Sequence, residues 1–418
     1  MLVTTRHEKS LVAILLLGIA FSLYYAINQV LVVDSLQLLE RGHLFSIGEI
    51  LPFGPRSSQT NFIMGPFISL FTGILLSLSD TPYSVWFGIL LTHIGAFFLV
   101  TRLSFFRGNR SWLLLYLVFF WCSPWRASEV FIWNPAFLMP LAVLWLYGMD
   151  RNAGGQRFQG TLLMGIAVLL TFQIHNSVLF LVLMTLFMRW KKVIRFDTGA
   201  MGALVVIGAV MLAPTAWVLY THPEVLQKNR GDVQLFDNFF QVGEALKGLT
   251  YWLRYPSMYF GSTTFQLPGI DWGHDTILRK VWWLTKWAVG GVSILFVVWA
   301  NYRFMKEERN LLLRRLVVFA FVSLLIVSSM SPVAFNFWHL YLVYPFALIP
   351  LTRDISRRKC SRFVALGLIA YFGVYTAVSA THSYKHDWKT TQQKDYDRKI
   401  VLRSKQIVQK YQGMTMRL

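Results

Sequence analysis

The side chains best suited to chemistry in this sequence sit in a few short polar stretches between long apolar ones. The first is Val32, Val33, Asp34, Ser35, which puts a carboxylate directly behind the apolar block Leu11 to Val32. Glu40, Arg41 and Gly42 follow, and then Gly54, Pro55, Arg56, Ser57, Ser58, Gln59, Thr60 and Asn61 lead into Gly65 and Pro66. A carboxylate at a membrane edge can take a proton from a hydroxyl or amine. A guanidinium such as that of Arg56 can grip a phosphate through two parallel hydrogen bonds. An Asp at a helix end is equally a solvated boundary residue, and both readings stay open.

Three further stretches carry usable groups. Arg126 and Glu129 lie three residues apart in the run Ser123 to Pro135, as a local ion pair or as contacts for a sugar or a phosphate. Trp133 and Asn134, ahead of Pro135, offer a ring and an amide to a sugar, or an interfacial belt and a helix start. His175 with Asn176, and His339 within Asn336 to Tyr341, supply imidazoles that serve as polar handles, as a solvated turn residue or as packing. His93, inside an apolar block, reads as a buried, hydrogen-bonded residue. No cysteine pair, no His-Glu-x-x-His and no carboxylate cluster appears, so neither a metal nor a cofactor is called for; Asp34 and Glu129 are the one pair that could share a divalent ion.

What positions these groups is set by composition. The 418 residues are 55% hydrophobic and 14% charged, against roughly 25% charged in an average globular chain. The apolar residues come in blocks near the roughly 20 residues that cross a bilayer core about 30 Å thick. Clear blocks are Leu11 to Val32, Tyr83 to Val100, Ala200 to Leu219, Trp282 to Ala300, Leu311 to Val327 and Phe363 to Val378. The fold class predicted is therefore all-α: a polytopic membrane protein of about 11 transmembrane helices. The first block is too long for a signal peptide and lacks a small-x-small cleavage site, so it reads as the first membrane helix. The net charge of +20 falls in short clusters between blocks, which fits the positive-inside rule and not a nucleic-acid-binding face.

Charge also decides how the ambiguous stretches run. If Phe62 to Leu78 crosses and Leu162 to Met188 is one helix, Arg102, Arg107 and Arg110 fall outside along with Arg151 and Arg157. If instead Phe62 to Leu78 lies along the outer face, and the long stretch breaks at Gln173, His175, Asn176, every strong basic cluster falls inside with a cytoplasmic N-terminus. Asn61, Gly65, Ser69 and Thr72 give the first stretch one small or polar face, as an interfacial helix wants. Residues 1–380 then form one transmembrane domain with a first outer loop at 33–61 and a long outer loop at 221–280. In the latter, Phe236, Phe239, Phe240, Leu246, Leu249, Trp252 and Leu253 trace a helical stripe, read as an amphipathic lid on the outer leaflet or as an interfacial packing helix. The basic tail 381–418 falls outside by parity. Cys122 and Cys360 fall at opposite faces, so no disulfide is expected.

An acidic residue opening the first outer loop, followed by Gly- and Pro-rich juxtamembrane segments, resembles the GT-C superfamily of membrane glycosyltransferases. The likeness is to the bacterial branch near protein O-mannosyltransferases and the lipid A aminoarabinose transferase, over the architecture of roughly the first 190 residues. The resemblance implies an inverting transferase of the cell envelope, in the bacterial inner membrane with its site on the outer face. It implies a polyprenyl-phosphate sugar donor and a lipid, glycan or protein acceptor among membrane lipids. It makes Asp34 the catalytic residue that acts on the acceptor. Arg56 stands nearest to a phosphate-binding lysine of some relatives, and Ser57, Asn61, Arg126, Glu129, Trp133, Asn134, His175 and His339 become substrate-binding candidates. Two other readings remain. A lipid-linked glycan ligase or polymerase would use Arg254 and His274 of the long loop. A lipid or solute transporter or flippase would show paired Gly or Pro interruptions in two repeated halves, which this sequence lacks.

Overall fold

The computed structural model describes residues 6–28, 31–55, 62–223, 240–258, 277–331, 336–381 and 388–417. Helices α1 (Arg6–Asn28) and α2 (Val33–Ser46) are followed by a two-residue strand, β1 (Glu49–Ile50), and then by α3 (Phe67–Leu78), α4 (Pro82–Thr101), α5 (Arg110–Cys122) and the single turn α6 (Pro124–Ala127). The middle of the chain is α7 (Leu138–Ala153), α8 (Arg157–Phe172), α9 (Val178–Trp190), α10 (Thr198–Thr221) and α11 (Val242–Arg254). The rest comprises α12 (Ile277–Glu307), α13 (Leu311–Ser329), a 3₁₀ segment Phe337–Val343, α14 (Tyr344–Ser356), α15 (Ser361–Thr381), α16 (Trp388–Tyr396), α17 (Ser404–Lys410) and β2 (Met416–Arg417).

Among the described residues, five helical stretches are long and apolar enough to cross a membrane: His7–Ile27, Pro82–Thr101, Thr198–Thr221, Trp287–Glu307 and Leu311–Ser329. Shorter apolar helices of 10–17 residues, α5, α8 and α9 among them, fall below the roughly 20 residues of an unthinned bilayer. The lipid-like character of the surroundings shows in large exposed apolar side chains on the long helices, such as Val205 and Val210 at 69% exposure on α10.

Contacts between turns sort the chain into two ends. At one end, which carries Asp34, Gly54 and Pro55 pair with Ile63, the amide of Phe67 donates to Gln173 Oε1 at 3.3 Å, and Thr215 donates to Pro52 O at 2.5 Å. Trp86 at the start of α4 donates to Val130 O at 2.7 Å, and Gln241 N donates to Ser329 O at 2.9 Å. At the opposite, basic end, Asp150 accepts from Ser104 at 2.5 Å, Asn152 pairs with the backbone of Arg195, and Glu308 is clasped by Arg353 at 2.9 Å and Arg357 at 2.8 Å. Asp354 likewise holds Arg303 at 2.9 Å and Arg358 at 2.8 Å.

This sorting matches the second of the two threadings. Both ends of α3 lie at the Asp34 end, because its first residue reaches Gln173 and the turn after it reaches the tail, where Gln393 bonds Thr81 at 2.8 Å and Tyr396 donates to Asp80 at 2.5 Å. With both ends on one side, α3, 12 residues and about 18 Å long, lies along that end and does not cross. It packs across α2, Thr72 donating to Leu38 O at 3.3 Å. The apolar stretch 162–188 does break at 173–177, into α8 and α9. Glutamine explains the local geometry: Gly65, at φ +103°, turns the chain where a Cβ would lie 2.3 Å from the Gln173 side chain, so only glycine fits.

The contacts add to two expectations. The described part of the long-loop stripe packs against α13. Gln241 meets Ser329 at the end of α13, Gly248 packs on Ser328, and Trp252 meets Phe321 edge-on at 5.4 Å, so α11 descends along α13 by eight residues, about 12 Å. Trp252 is buried while Phe240, Leu246 and Leu249 stay exposed; Phe236 and Phe239 lie outside the described residues. The tail, in turn, docks on the first loop. Met416 and Arg417 pair antiparallel with Ile50 and Glu49, Lys410 meets Glu40 at 2.8 Å, and Gln392 donates to Ala26 O at 3.0 Å.

Candidate functional site at the Asp34 end

Asp34 occupies the first turn of α2, where the amide end of the helix favours negative charge. Its side chain is exposed, and among the described residues no hydrogen bond or ion pair holds it. Desolvation by the protein around the carboxyl nevertheless raises its pKa from the ordinary value. A partnerless, partly desolvated carboxylate is a better proton acceptor than an ion-paired one. Beneath it, Arg41 on the same helix is fully buried and donates to the carbonyls of Gln37 at 2.8 Å, Phe53 at 3.4 Å and Gly54 at 2.9 Å. Arg41 thus fixes the backbone that leads towards residue 56. Arg56, Ser57 and Asn61 themselves lie outside the described residues.

Arg126 is buried completely, and its donors are committed. Nε and Nη2 donate to Trp121 O, the former at 2.8 Å; Nη1 donates to Ser22 Oγ at 2.7 Å; Nη2 also donates to Gly18 O at 2.7 Å. The guanidinium stacks 3.8 Å from the Trp121 ring, and Gly18 makes room because a Cβ there would fall 2.2 Å from the indole. Arg126 therefore ties the turn after α5 to α1, in place of the expected ion pair with Glu129 or an open phosphate contact.

Glu129 sits at 2% exposure with Oε2 unpartnered, its carboxyl beside the Tyr341 hydroxyl and near Tyr255. Burial drives its pKa well above the ordinary carboxylate value, the neighbouring Tyr341 hydroxyl opposing only in part. Around it Tyr255 stacks on Tyr341 at 6.0 Å and meets Trp125 edge-on at 5.1 Å, and the buried Arg254 lies over Trp125 at 5.9 Å and Tyr251 at 5.4 Å. Tyr341 and Tyr255 gave no motif in the sequence; only Tyr341's place two residues after His339 pointed at it.

Four candidates do meet. Asn134 donates to Ile174 O at 3.2 Å, which seats Trp133 beside the 173–177 turn; Trp133 lies 6.1 Å from Trp338, and the rings of His175 and His339 lie 5.5 Å apart. Ser177 N donates to His175 Nδ1 at 3.1 Å, so the hydrogen-bond pattern assigns the His175 proton to Nε2. Burial pushes the His175 pKa down to about 3, with His339 adding to the shift. Burial likewise lowers His339 to about 4, with Glu244 opposing. Asn336 N at 3.0 Å and Trp338 Nε1 at 3.1 Å point donors at the two His339 nitrogens, of which a neutral imidazole can accept one and an imidazolium neither. Both histidines are thus neutral handles, not cations. His93 accounts for itself inside α4, Nε2 lying 2.7 Å from Ala136 O. Among the described residues no three His, Cys, Asp or Glu side chains gather as a metal site requires.

No family model and no curated protein matches the chain. Among solved structures it is similar to the apo form of the oligosaccharyltransferase of Archaeoglobus fulgidus, with a TM-score of 0.44 and 10% identity over 93% of this chain. The chain spans about half the length of that protein, 56%. A likeness that loose decides neither the fold family nor the chemistry.

Proposed function

We propose that the chain is an inverting membrane glycosyltransferase that moves a sugar from a polyprenyl-phosphate donor to a lipid, glycan or protein acceptor, in a bacterial inner membrane with the Asp34 end outside. The observation that supports this best is the convergence, at one end of the helices, of the first loop with the turns at 123–135, 173–177 and 336–341. That convergence surrounds paired indoles and neutral imidazoles, and the first loop itself opens with a carboxylate that no described residue holds.

In this reading Asp34 takes the proton of the acceptor hydroxyl or amine as the acceptor attacks the anomeric carbon from the face opposite the phosphate. The C–O bond to the phosphate breaks, and the lipid phosphate leaves with the electron pair. Arg56 is assigned to that departing charge, with Ser57 and Asn61 beside it. Trp133 and Asn134 offer the sugar a ring face and an amide, and His175 and His339 supply uncharged hydrogen bonds. Arg126 and Glu129 hold the wall behind them. The shorter helices α5, α7, α8, α9, α14 and α15, but not α3, cross with the five long ones, in a domain of about eleven crossings over residues 1–380, with 381–418 as a tail.

The test is reconstitution of the purified protein in liposomes with radiolabelled polyprenyl-phosphate sugars and a membrane extract as acceptor source. Donor-dependent label in lipid, glycan or protein is expected. Transfer from nucleotide sugars alone, or translocation of the donor without transfer, would replace this reading.

A further inference from the structure

A slot of about 470 Å³ opens between α12, α14 and α15, and neither His175 nor His339 lines it. Its walls include Phe119, Ala288, Val292, Phe296, Leu351 and Ile355, and the segment Pro256–Met258 closes one end. The polar wall atom, Ser293 Oγ, is already bonded to Met258 N at 3.1 Å and Gly290 O at 2.8 Å, which leaves nothing in the slot for a polar ligand. From Ala288 to Phe296 the slot follows α12 for about 12 Å. It opens sideways, since Ala288 is exposed and Val292 is 69% exposed, on a stretch apolar enough to cross a membrane. Its shape and lining fit one hydrocarbon chain entering from the bilayer.

The basic end of this slot carries the second observation. Phe296 is capped by Arg358, whose guanidinium lies 4.9 Å from the ring, and Arg358 N bonds Ile355 O at 2.9 Å, so that the arginine forms the rim. Lys359 and Arg362 follow on the same turn, both exposed, and among the described residues no ion pair engages either. An apolar slot rimmed by cations at its membrane–water end is complementary to an anionic phospholipid. It does not match a zwitterionic lipid, whose own ammonium would face the same rim.

We infer that this slot binds one anionic phospholipid, its chain between α12 and α15 and its phosphate on Lys359 and Arg362, beside the rim that Arg358 forms while held by Asp354. Occupancy ties α12 to α14 and α15 at the basic end, where the ion pairs of Glu308 and Asp354 already join α12 and α14. The site is independent of the glycosyl-transfer reading.

Native mass spectrometry of the full chain, delipidated in detergent and titrated with phosphatidylglycerol or phosphatidylcholine of matched chains, tests it. One phosphatidylglycerol should be retained about tenfold or more tightly than phosphatidylcholine, as two or three surface cations imply. The double variant Lys359→Gln/Arg362→Gln, at exposed positions that do not threaten folding, should bring the two lipids level. Val292→Trp should lower retention of both by obstructing the slot. Equal retention of the two lipids by the native chain would overturn the inference. So would retention unmoved by Val292→Trp, displacement of phosphatidylglycerol by an equimolar polyprenyl phosphate, or a dimer mass in place of a lipid adduct.

Discussion

Arg126 shows how a residue that reads as a ligand can be framework. Its guanidinium satisfies two backbone carbonyls and Ser22 in a dry setting, so Arg126→Ala should cost about 2–4 kcal/mol of stability by orphaning those groups, and Arg126→Lys should not restore it because an ammonium lacks the planar fork. Thermal unfolding in detergent, with donor KM measured on the folded fraction, checks this; a raised KM at unchanged stability would return Arg126 to the phosphate. Glu129 makes the opposite kind of claim. Its folded pKa lies above the ordinary 4.5, so above that pH the unfolded chain releases a proton that the folded one keeps, and stability falls as pH rises. Glu129→Gln should flatten that fall and raise the melting temperature at pH 8. For His175 and His339, depressed to about 3 and about 4 from 6.5, the sign reverses: their contribution is complete above pH 6.5 and is lost as pH falls towards 4. A His175→Gln/His339→Gln variant that still lost stability as steeply as wild type between pH 6.5 and 4 would contradict the neutral assignment. None of these environments was readable in the sequence, where Arg126 and Glu129 sit at ion-pair spacing; burial and the partners on α1, and on the segment around Tyr341, come from distant parts of the chain.

At the scale of elements, the first loop depends on the tail. The exposed pairs Lys410–Glu40 and Arg417–Glu49 are each worth at most about 1 kcal/mol. The strand pairing, Tyr396 on Asp80 and Gln392 on the last turn of α1 hold the first loop from three sides. Truncation after residue 387 should therefore expose α2 and the 46–66 segment to limited proteolysis, whereas Lys410→Ala should not. Equal protection of the truncated and full chains would show that the first loop stands alone. The sequence placed the tail on this side by parity, against its basic charge, and the contacts supply the reason charge failed to decide: its cations meet Glu40 and Glu49 of the loop. For α11 the helical stripe was legible but its direction was not, since periodicity reports which residues share a face and not whether the helix lies flat or descends beside α13.

Over the whole molecule, the charge clusters predicted which turns would share an end, and the turns do sort that way. That part was legible because a basic cluster is local in sequence. Helix length was not, since α5, α9 and α14 are 13 residues each and their place depends on packing within the bundle. A cysteine probe at Arg107 or Lys191 should label only after the membrane is opened, and one at Asn176 should label in intact cells; the reverse would invert the orientation. The chemistry of the Asp34 end rests on one carboxylate. Asp34→Asn keeps the size of the side chain and some of its hydrogen bonding but cannot accept a proton, so the well-inserted variant should lose about 10² to 10⁴-fold in turnover from a polyprenyl-phosphate sugar, with donor KM little changed. Wild-type turnover from that variant would contradict the account at its centre.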